Sequence, residues 1–299
     1  MKFAIYQDSL IGARSSNQDR MGYIYTRDAL LMVVADGMGG HARGEVAAQI
    51  ALQSIGALFQ MYAKPSITNP LGFLDEALRR GHRDILRYQA DKGMPESPRT
   101  TIVVALIQNG QAWWAHAGDS RLYWVRAGKI LDRTRDHSKV EAMVALGLLT
   151  EAQTEDHPER NKVFNCLGSP FEPTLEVSAG VTLQPGDSLM LCSDGVWGAF
   201  KESDVAQMMS NRPIAQSVID LVRTAVDKQG RFADNATAVA VTWEGVSEIA
   251  QQTSEHVPDG AVSTTIPTWA VDEANQQPDV TEDEIDKAVR EIQQAIART

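Results

Sequence analysis

The sequence predicts an α+β fold of antiparallel sheets with helices packed on their outer faces. Three observations carry that prediction. Strands follow one another through short turns, most clearly at Asn109-Gly110, a dipeptide that strongly favours a two-residue hairpin. Helical stretches come in consecutive pairs. The strict strand–helix–strand alternation of a Rossmann sheet is absent.

Taken in order, Phe3–Gln7, Tyr23–Thr26 and Leu30–Ala35 read as strands. Glu45–Tyr62 reads as an amphipathic helix with Val46, Ile50, Leu58 and Phe59 facing inward, and Leu74–Asp91 as a second helix. Strands follow at Thr101–Gln108, Gln111–Ala117 and Arg121–Arg126, with a turn at Ala127-Gly128-Lys129. Helices are expected around Lys139–Leu146 and Glu151–His157. The last strands are Leu175–Ala179, Ser188–Cys192 and Thr237–Trp243, with helices Glu202–Met209 and Pro213–Gln229 between the final two.

Composition narrows the function. The 299 residues carry 39 acids against 28 Lys+Arg, a formal net charge of −11. That balance argues against nucleic acid as the main partner, which requires a basic face. It leaves room for a phosphate-bearing substrate if metal ions supply the positive charge. Cys166 and Cys192 are the only cysteines and read as buried reduced thiols. No apolar run reaches the ~18–20 residues of a membrane span. Met1 to Asp8 meets an acid too early for a signal peptide, so a cytoplasmic protein is expected.

Much of the charge lies at one end. Residues 246–299 hold eleven acids and three bases. Residues 1–245 are expected to form one folded domain and 246–280, rich in Gln, Ser, Thr, Pro and Asp, an acidic linker. Residues 281–299 carry a helix signal, with Thr281 and Glu284 as a capping box and Ile285, Val289, Ile292 and Ile296 on one stripe. That stripe either binds a partner or docks on its own domain.

One local pattern recurs. Leu31–Ala35 runs into Asp36-Gly37, Ser188–Ser193 into Asp194-Gly195, and Trp113–Gly118 into Asp119, while Asp234-Asn235 precedes the last strand. A buried strand fixes its backbone, so a carboxylate at its end is held firmly, as a hard-cation site requires. Glycine after the acid lets another group approach and leaves a carbonyl oxygen available as a ligand. Acids converging in this way repel unless cations lie between them, and all-oxygen ligation favours Mg²⁺ or Mn²⁺ over zinc. Any one Asp-Gly is also a common turn dipeptide, so the signal lies in the set. The first loop adds Arg14 and Asp19 within Gly12–Asp19, and arginine grips phosphate bidentately. The run Asp36-Gly37-Met38-Gly39-Gly40-His41 lacks the Lys-Ser/Thr ending of a P-loop. Its histidine, beside a metal-bound phosphate, could protonate a leaving oxygen.

Arg14…Asn17-Gln18-Asp19, Val34–His41, Ala117–Arg121, Asp136-His137-Ser138, Ser193-Asp194-Gly195 and Asp234-Asn235 occur in the order of the metal-dependent protein phosphatase 2C family. Residues 1–245 resemble a bacterial member. The resemblance implies a four-layer α/β/β/α sandwich, two packed antiparallel sheets flanked by helices. It implies hydrolysis of phosphoserine and phosphothreonine in proteins by a hydroxide bridging two Mn²⁺ or Mg²⁺ ions. Asp36 would bridge both ions, Asp194 and Asp234 would complete one, and the Gly37 carbonyl would bind the other. Asp19 would support metal-bound waters, Arg14 would hold the phosphate, and His41 would protonate the leaving alkoxide. Asp119 with Asp194 matches a third metal site, and residues 138–160 match a mobile flap. The implied partners are phosphoproteins, with a cognate Ser/Thr kinase or its substrates among them. Gln18 stands where many members carry a glutamate, and His41 lies three residues further from Asp-Gly than in many eukaryotic members. Other readings have less support. A phosphoprotein-binding scaffold need not retain all the acids. A serine hydrolase built on Gly118-Asp119-Ser120 lacks a later Asp-x-x-His. A two-metal nuclease lacks a basic stripe.

Overall fold

The structure is a computed structural model that describes residues 1–38, 43–150, 153, 157–159, 162–210, 212–246 and 262–266. The chain divides into a unit of residues 1–266 and a second of residues 267–299; the second lies outside the described residues.

In chain order the elements begin with β1 (Lys2–Leu10), β2 (Asp19–Tyr25), β3 (Ala29–Asp36), α1 (Gly44–Tyr62) and α2 (Pro70–Asp91). Then come β4 (Ile102–Gln108), β5 (Gln111–Ala117), β6 (Arg121–Arg126), β7 (Lys129–Arg133) and α3 (Lys139–Ala145). The short strands β8 (Glu176–Val177) and β9 (Val181–Thr182) precede β10 (Ser188–Cys192), α4 (Asp194–Trp197), α5 (Glu202–Met208) and α6 (Ile214–Gln229). The last strands are β11 (Ala236–Gly245) and β12 (Ser263–Thr264).

Two antiparallel sheets result, one ordered β1-β11-β10-β6-β7 and the other β12-β2-β3-β4-β5-β8, with β9 also on β5. Alternation along the strands explains why they stack. On β3, Leu30, Met32 and Val34 enter the core between the sheets, together with Val103 and Ile107 of β4, Leu189 and Leu191 of β10, and Val239 and Val241 of β11. The opposite face of β3, with Leu31, Val33 and Ala35, packs under α1 and α2. Met190 and Cys192 of β10 likewise turn outward beneath α5 and α6. Central strands covered on both faces must be apolar throughout, which is why β3 and β4 read as unbroken hydrophobic runs. The expected four-layer α/β/β/α sandwich is the architecture observed.

The differences from the sequence reading are local. The buried face of α1 runs through Ala47, Ala48, Ala51, Leu52, Ile55, Leu58 and Phe59, while Val46 and Ile50 are half-buried. Small alanines let the helix lie close to the sheet and to α2. Strand β2 begins at Asp19, earlier than its apolar pattern suggests, because ladder pairing with β3 holds its polar start. The expected linker is interrupted: Ser263 and Thr264 pair with Tyr25 and Ile24, and Ile266 is buried in the core. One isoleucine among polar neighbours leaves little mark on composition. The expected helix at 151–157 falls largely outside the described residues, and the helix at 281–299 falls wholly outside them. No helix among the described residues is long and apolar enough to cross a membrane.

Leu191 is fully buried between the sheets. Leu191→Ala is expected to lower the unfolding free energy by about 2–5 kcal/mol, measured by urea denaturation.

Candidate metal centre

The ladder registers place the predicted acids at one end of both sheets. Asp19 opens β2 directly opposite Asp36, the last residue of β3. The end of β5 pairs with the start of β4 at Ala117–Ile102, which brings Asp119 to the same end. In the other sheet, Cys192 closes β10 opposite Ala238 near the start of β11, so Asp194 and Asp234 lie side by side. Asp36 and Asp194 stand within hydrogen-bonding reach, and the charges of Asp19, Asp194, Asp119 and Asp234 all act on Asp36. The structure therefore brings together all five predicted carboxylates.

For Asp19, Asp36, Asp119 and Asp194 the surroundings raise the proton affinity. Burial, helped by repulsion from Asp194 and Asp234, pushes Asp19 up to about 7 despite the opposing pull of Thr237 and Ser193. Burial and then the Asp234 charge push Asp194 up to about 6. Asp36 and Asp119 are raised well above the usual carboxylate range, again by burial first and neighbouring acids second. By surface area, Asp36, Asp194 and Asp234 are half-buried, opening onto solvent at the mouth of the cluster. Asp36 and Asp194 are enclosed by protein on the remaining sides, which is why burial dominates. Asp19 Oδ2 accepts a bond from Ser193 Oγ at 2.7 Å, whereas its buried Oδ1 has no partner.

Side chains and backbone around the acids fix them. Asn235 Oδ1 accepts from the Gln18 amide at 2.8 Å, and its Nδ2 donates to the carbonyls of Ile11 and Ser16. One buried amide thus ties the loop carrying Arg14 to the root of β11. Gly12 has φ +62°, and any Cβ there would strike the Asp234 carbonyl. The Asp36 carbonyl accepts from Thr100 Oγ1 and from the Thr101 amide, both at 2.9 Å. Trp197 Nε1 donates to the Asp119 carbonyl at 2.8 Å, and its ring lies 3.7 Å beneath the Arg121 guanidinium, which is paired bidentately with Asp136.

The other predicted residues fall out as follows. Arg14 is exposed and pairs bidentately with Asp234, Nε to Oδ1 at 2.8 Å and Nη2 to Oδ2 at 2.6 Å. Gly37 pairs with Thr100, and its backbone lies against Gly44, where no side chain could fit. Gln18 donates to Glu45 Oε2 at 3.1 Å, so its amide is engaged by a carboxylate at the start of α1. His41 lies outside the described residues. Sequence reasoning assigned no role to Glu45, Thr100, Thr101 or Trp197. The polar Arg99-Thr100-Thr101 step before the apolar run of β4 was the one available signal.

A second group lies along β5 and β8. Donor atoms of His116, His137 and Glu176 come within 4.8 Å of one another. His116 Nε2 faces the Arg135 carbonyl at 2.7 Å, leaving its Nδ1 lone pair free. His137 Nδ1 accepts from the Gly118 amide and faces Asn165 Nδ2 at 2.6 Å. The amide orientation of Asn165 is set by its bonds to both backbone groups of Thr174. The proton of neutral His137 therefore sits on Nε2, facing Glu176. A proton at that position disfavours a cation, so this group does not compete with the aspartate cluster as a metal centre.

The raised carboxylates imply a definite pH dependence. A folded-state pKa above the unfolded value gives stability that is complete below about pH 4 and lost as pH climbs through about 6–7 for Asp194 and Asp19. In chelator, the melting temperature is expected to fall between about pH 5 and 8, and Asp36→Asn to flatten that fall. Thermal scans across the range measure it, and a rise in wild type would contradict the electrostatics described.

A family profile described as protein phosphatase 2C matches residues 7–238. The serine/threonine protein phosphatase PstP of Mycobacterium tuberculosis is 32% identical over 227 residues, 76% of this chain and 42% of that protein. The chain thus spans less than half the length of that relative. Protein phosphatase PhpP of Streptococcus pneumoniae is 30% identical over 231 residues, 77% of this chain and 92% of that protein. Among solved structures, the M. tuberculosis PstP/Ppp phosphatase superposes with TM-score 0.70 at 29% identity, covering 81% of this chain and 99% of the other. The PstP catalytic domain in complex with two manganese ions gives TM-score 0.66 at 27% identity, covering 80% and 97%. The chain belongs to the protein phosphatase 2C family.

Proposed function

We propose that this protein hydrolyses phosphoserine and phosphothreonine in proteins, in dependence on Mn²⁺ or Mg²⁺. The observation that carries the reading is the convergence of five carboxylates from both sheets, each half-buried or buried, at one open end. Such a cluster is electrostatically unfavourable by itself, and hard cations are the groups its oxygen donors fit. The unpartnered Asp19 Oδ1 is an acceptor waiting for a donor. The two manganese ions of the PstP catalytic domain accord with this reading.

In this proposal Asp36, Asp194, Asp234 and the Gly37 carbonyl would hold two ions, with Asp36 shared between them. Asp119 with Asp194 offers a third, weaker position. Bound there, the cations supply concentrated positive charge and a water that loses its proton near neutral pH. Asp19, held through Oδ2 by Ser193, would orient that water with its Oδ1. Arg14, exposed beside Asp234, would leave that carboxylate once it is otherwise neutralised and grip two phosphate oxygens. His41 would protonate the serine or threonine oxygen as it leaves in line with the attacking water. Gln18 carries no charge, and Glu45 beside it returns a carboxylate to that side of the cluster.

The substrates proposed are phosphoproteins, including a cognate Ser/Thr kinase or its targets. The net charge of −11 suits neither nucleic acid nor an anionic membrane surface. Cys166 and Cys192, buried and free, suit a reducing, cytoplasmic setting.

The deciding experiment is hydrolysis of a phosphothreonine peptide with Mn²⁺, repeated in chelator. Turnover is expected with metal and none without it; metal-independent turnover would refute the mechanism. Asp36→Asn and Asp194→Asn are each expected to abolish turnover and to reduce Mn²⁺ binding in calorimetry. Arg14→Ala is expected to raise KM by roughly ten- to a hundredfold, with a smaller change in kcat, as loss of a charge-assisted phosphate contact implies.

A further inference from the structure

Strand β2 is the edge of its sheet apart from the two residue pairs it makes with β12. The segment that covers this edge is held by few contacts, but they are specific. The Thr265 amide donates to the Tyr23 carbonyl at 3.0 Å, and Thr265 Oγ1 accepts from the Tyr23 amide at 3.0 Å. Thr264 Oγ1 accepts from the Ile266 amide at 2.8 Å, turning the chain inward. Ile266 then enters the core beneath α1, where only 2% of its surface remains exposed. Two glycines on separate elements make room for it. A Cβ on Gly22 of β2 would lie 2.6 Å from Ile266 Cγ1, and one on Gly56 of α1 would lie 3.1 Å from Cγ2.

We infer that the β2 edge and the Gly22–Gly56 socket form a peptide-binding groove, and that its resident is this chain's own segment 262–266, bound as a detachable strand. The socket is shaped for one β-branched aliphatic side chain presented by an extended backbone, the recognition used in strand addition to a sheet edge. The other four residues contribute little burial. Val262 and Thr265 are exposed, and Ser263 and Thr264 are half-buried. Among the described residues, one buried side chain, a two-pair ladder and the hydroxyl contacts of Thr264 and Thr265 must offset the ordering of five residues, so occupancy is narrowly balanced. The segment is joined to β11 through residues 247–261, which keeps its effective concentration high and favours it over the same sequence on another molecule. An extended segment of a partner with an isoleucine or valine at the corresponding place would compete for the groove.

The full-length chain provides the test, with a labelled peptide of residues 260–269 as the probe. Thr265→Val removes the hydroxyl contacts without touching the core, and Ile266→Ser empties the socket. In both variants, amide exchange at Thr265 is expected to accelerate at least about tenfold while amides of β3 keep their protection. Both variants are expected to bind the peptide saturably and wild type at least about tenfold more weakly, because the tethered copy competes. Adding Gly56→Val to either variant is expected to abolish binding. Three outcomes would overturn the inference: unchanged exchange at Thr265 in both variants, peptide binding that is absent from both variants or equally tight in wild type, or a concentration-dependent dimer in which a second copy supplies the strand.

Discussion

Mutual repulsion among carboxylates is the constraint on which this molecule turns. Asp19, Asp36, Asp119, Asp194 and Asp234 come from widely separated stretches of chain, and left to themselves they would drive their strand ends apart. The fold keeps them together because each is anchored by a strand buried on one or both faces. Leu30, Met32 and Val34 on one side of β3 and Leu31, Val33 and Ala35 on the other leave Asp36 no freedom to retreat. Apolar burial thus meets the electrostatic cost of the cluster. The proposed hydrolysis would draw on that arrangement, since donors held in place do not have to be gathered when a cation arrives.

Around the acids lies a layer of uncharged contacts with a different task. Asn235, Ser193, Thr100 and Thr101 bind backbone or carboxylate atoms and set orientation without adding charge. Arg14 provides a cation close to the cluster, on Asp234. A guanidinium held on that acid stays beside the cluster, where the proposed phosphate contact would be made. Gln18 and Glu45 make a related exchange, in which the charge sits on α1 and the loop presents a neutral amide to it.

The segment 262–266 shows how a few residues can join a fold without belonging to its compositional signature. Its contribution depends on absences elsewhere, at Gly22 and Gly56, where a missing side chain becomes a socket. The His116–His137–Glu176 group makes the converse point. Three side chains that could hold a metal are brought together, yet the donors facing His137 Nδ1 place its proton where a cation would have to bind.

Much of this protein was legible in its sequence. Strand ends that run into Asp-Gly, the hairpin at Asn109-Gly110 and the paired helices fixed the layered α+β architecture, because turn chemistry and periodicity are local properties. The acids themselves could be named for the same reason. Their convergence could not be read locally, since it depends on ladder registers such as Asp19 opposite Asp36 and Cys192 opposite Ala238. Tertiary structure alone decided that Arg14 rests on Asp234, that Glu45 engages Gln18, and that Ile266 enters the core from within an apparent linker. Each of these is a contact between segments distant in the chain, and such contacts are selected by packing geometry rather than by the chemistry of neighbouring residues.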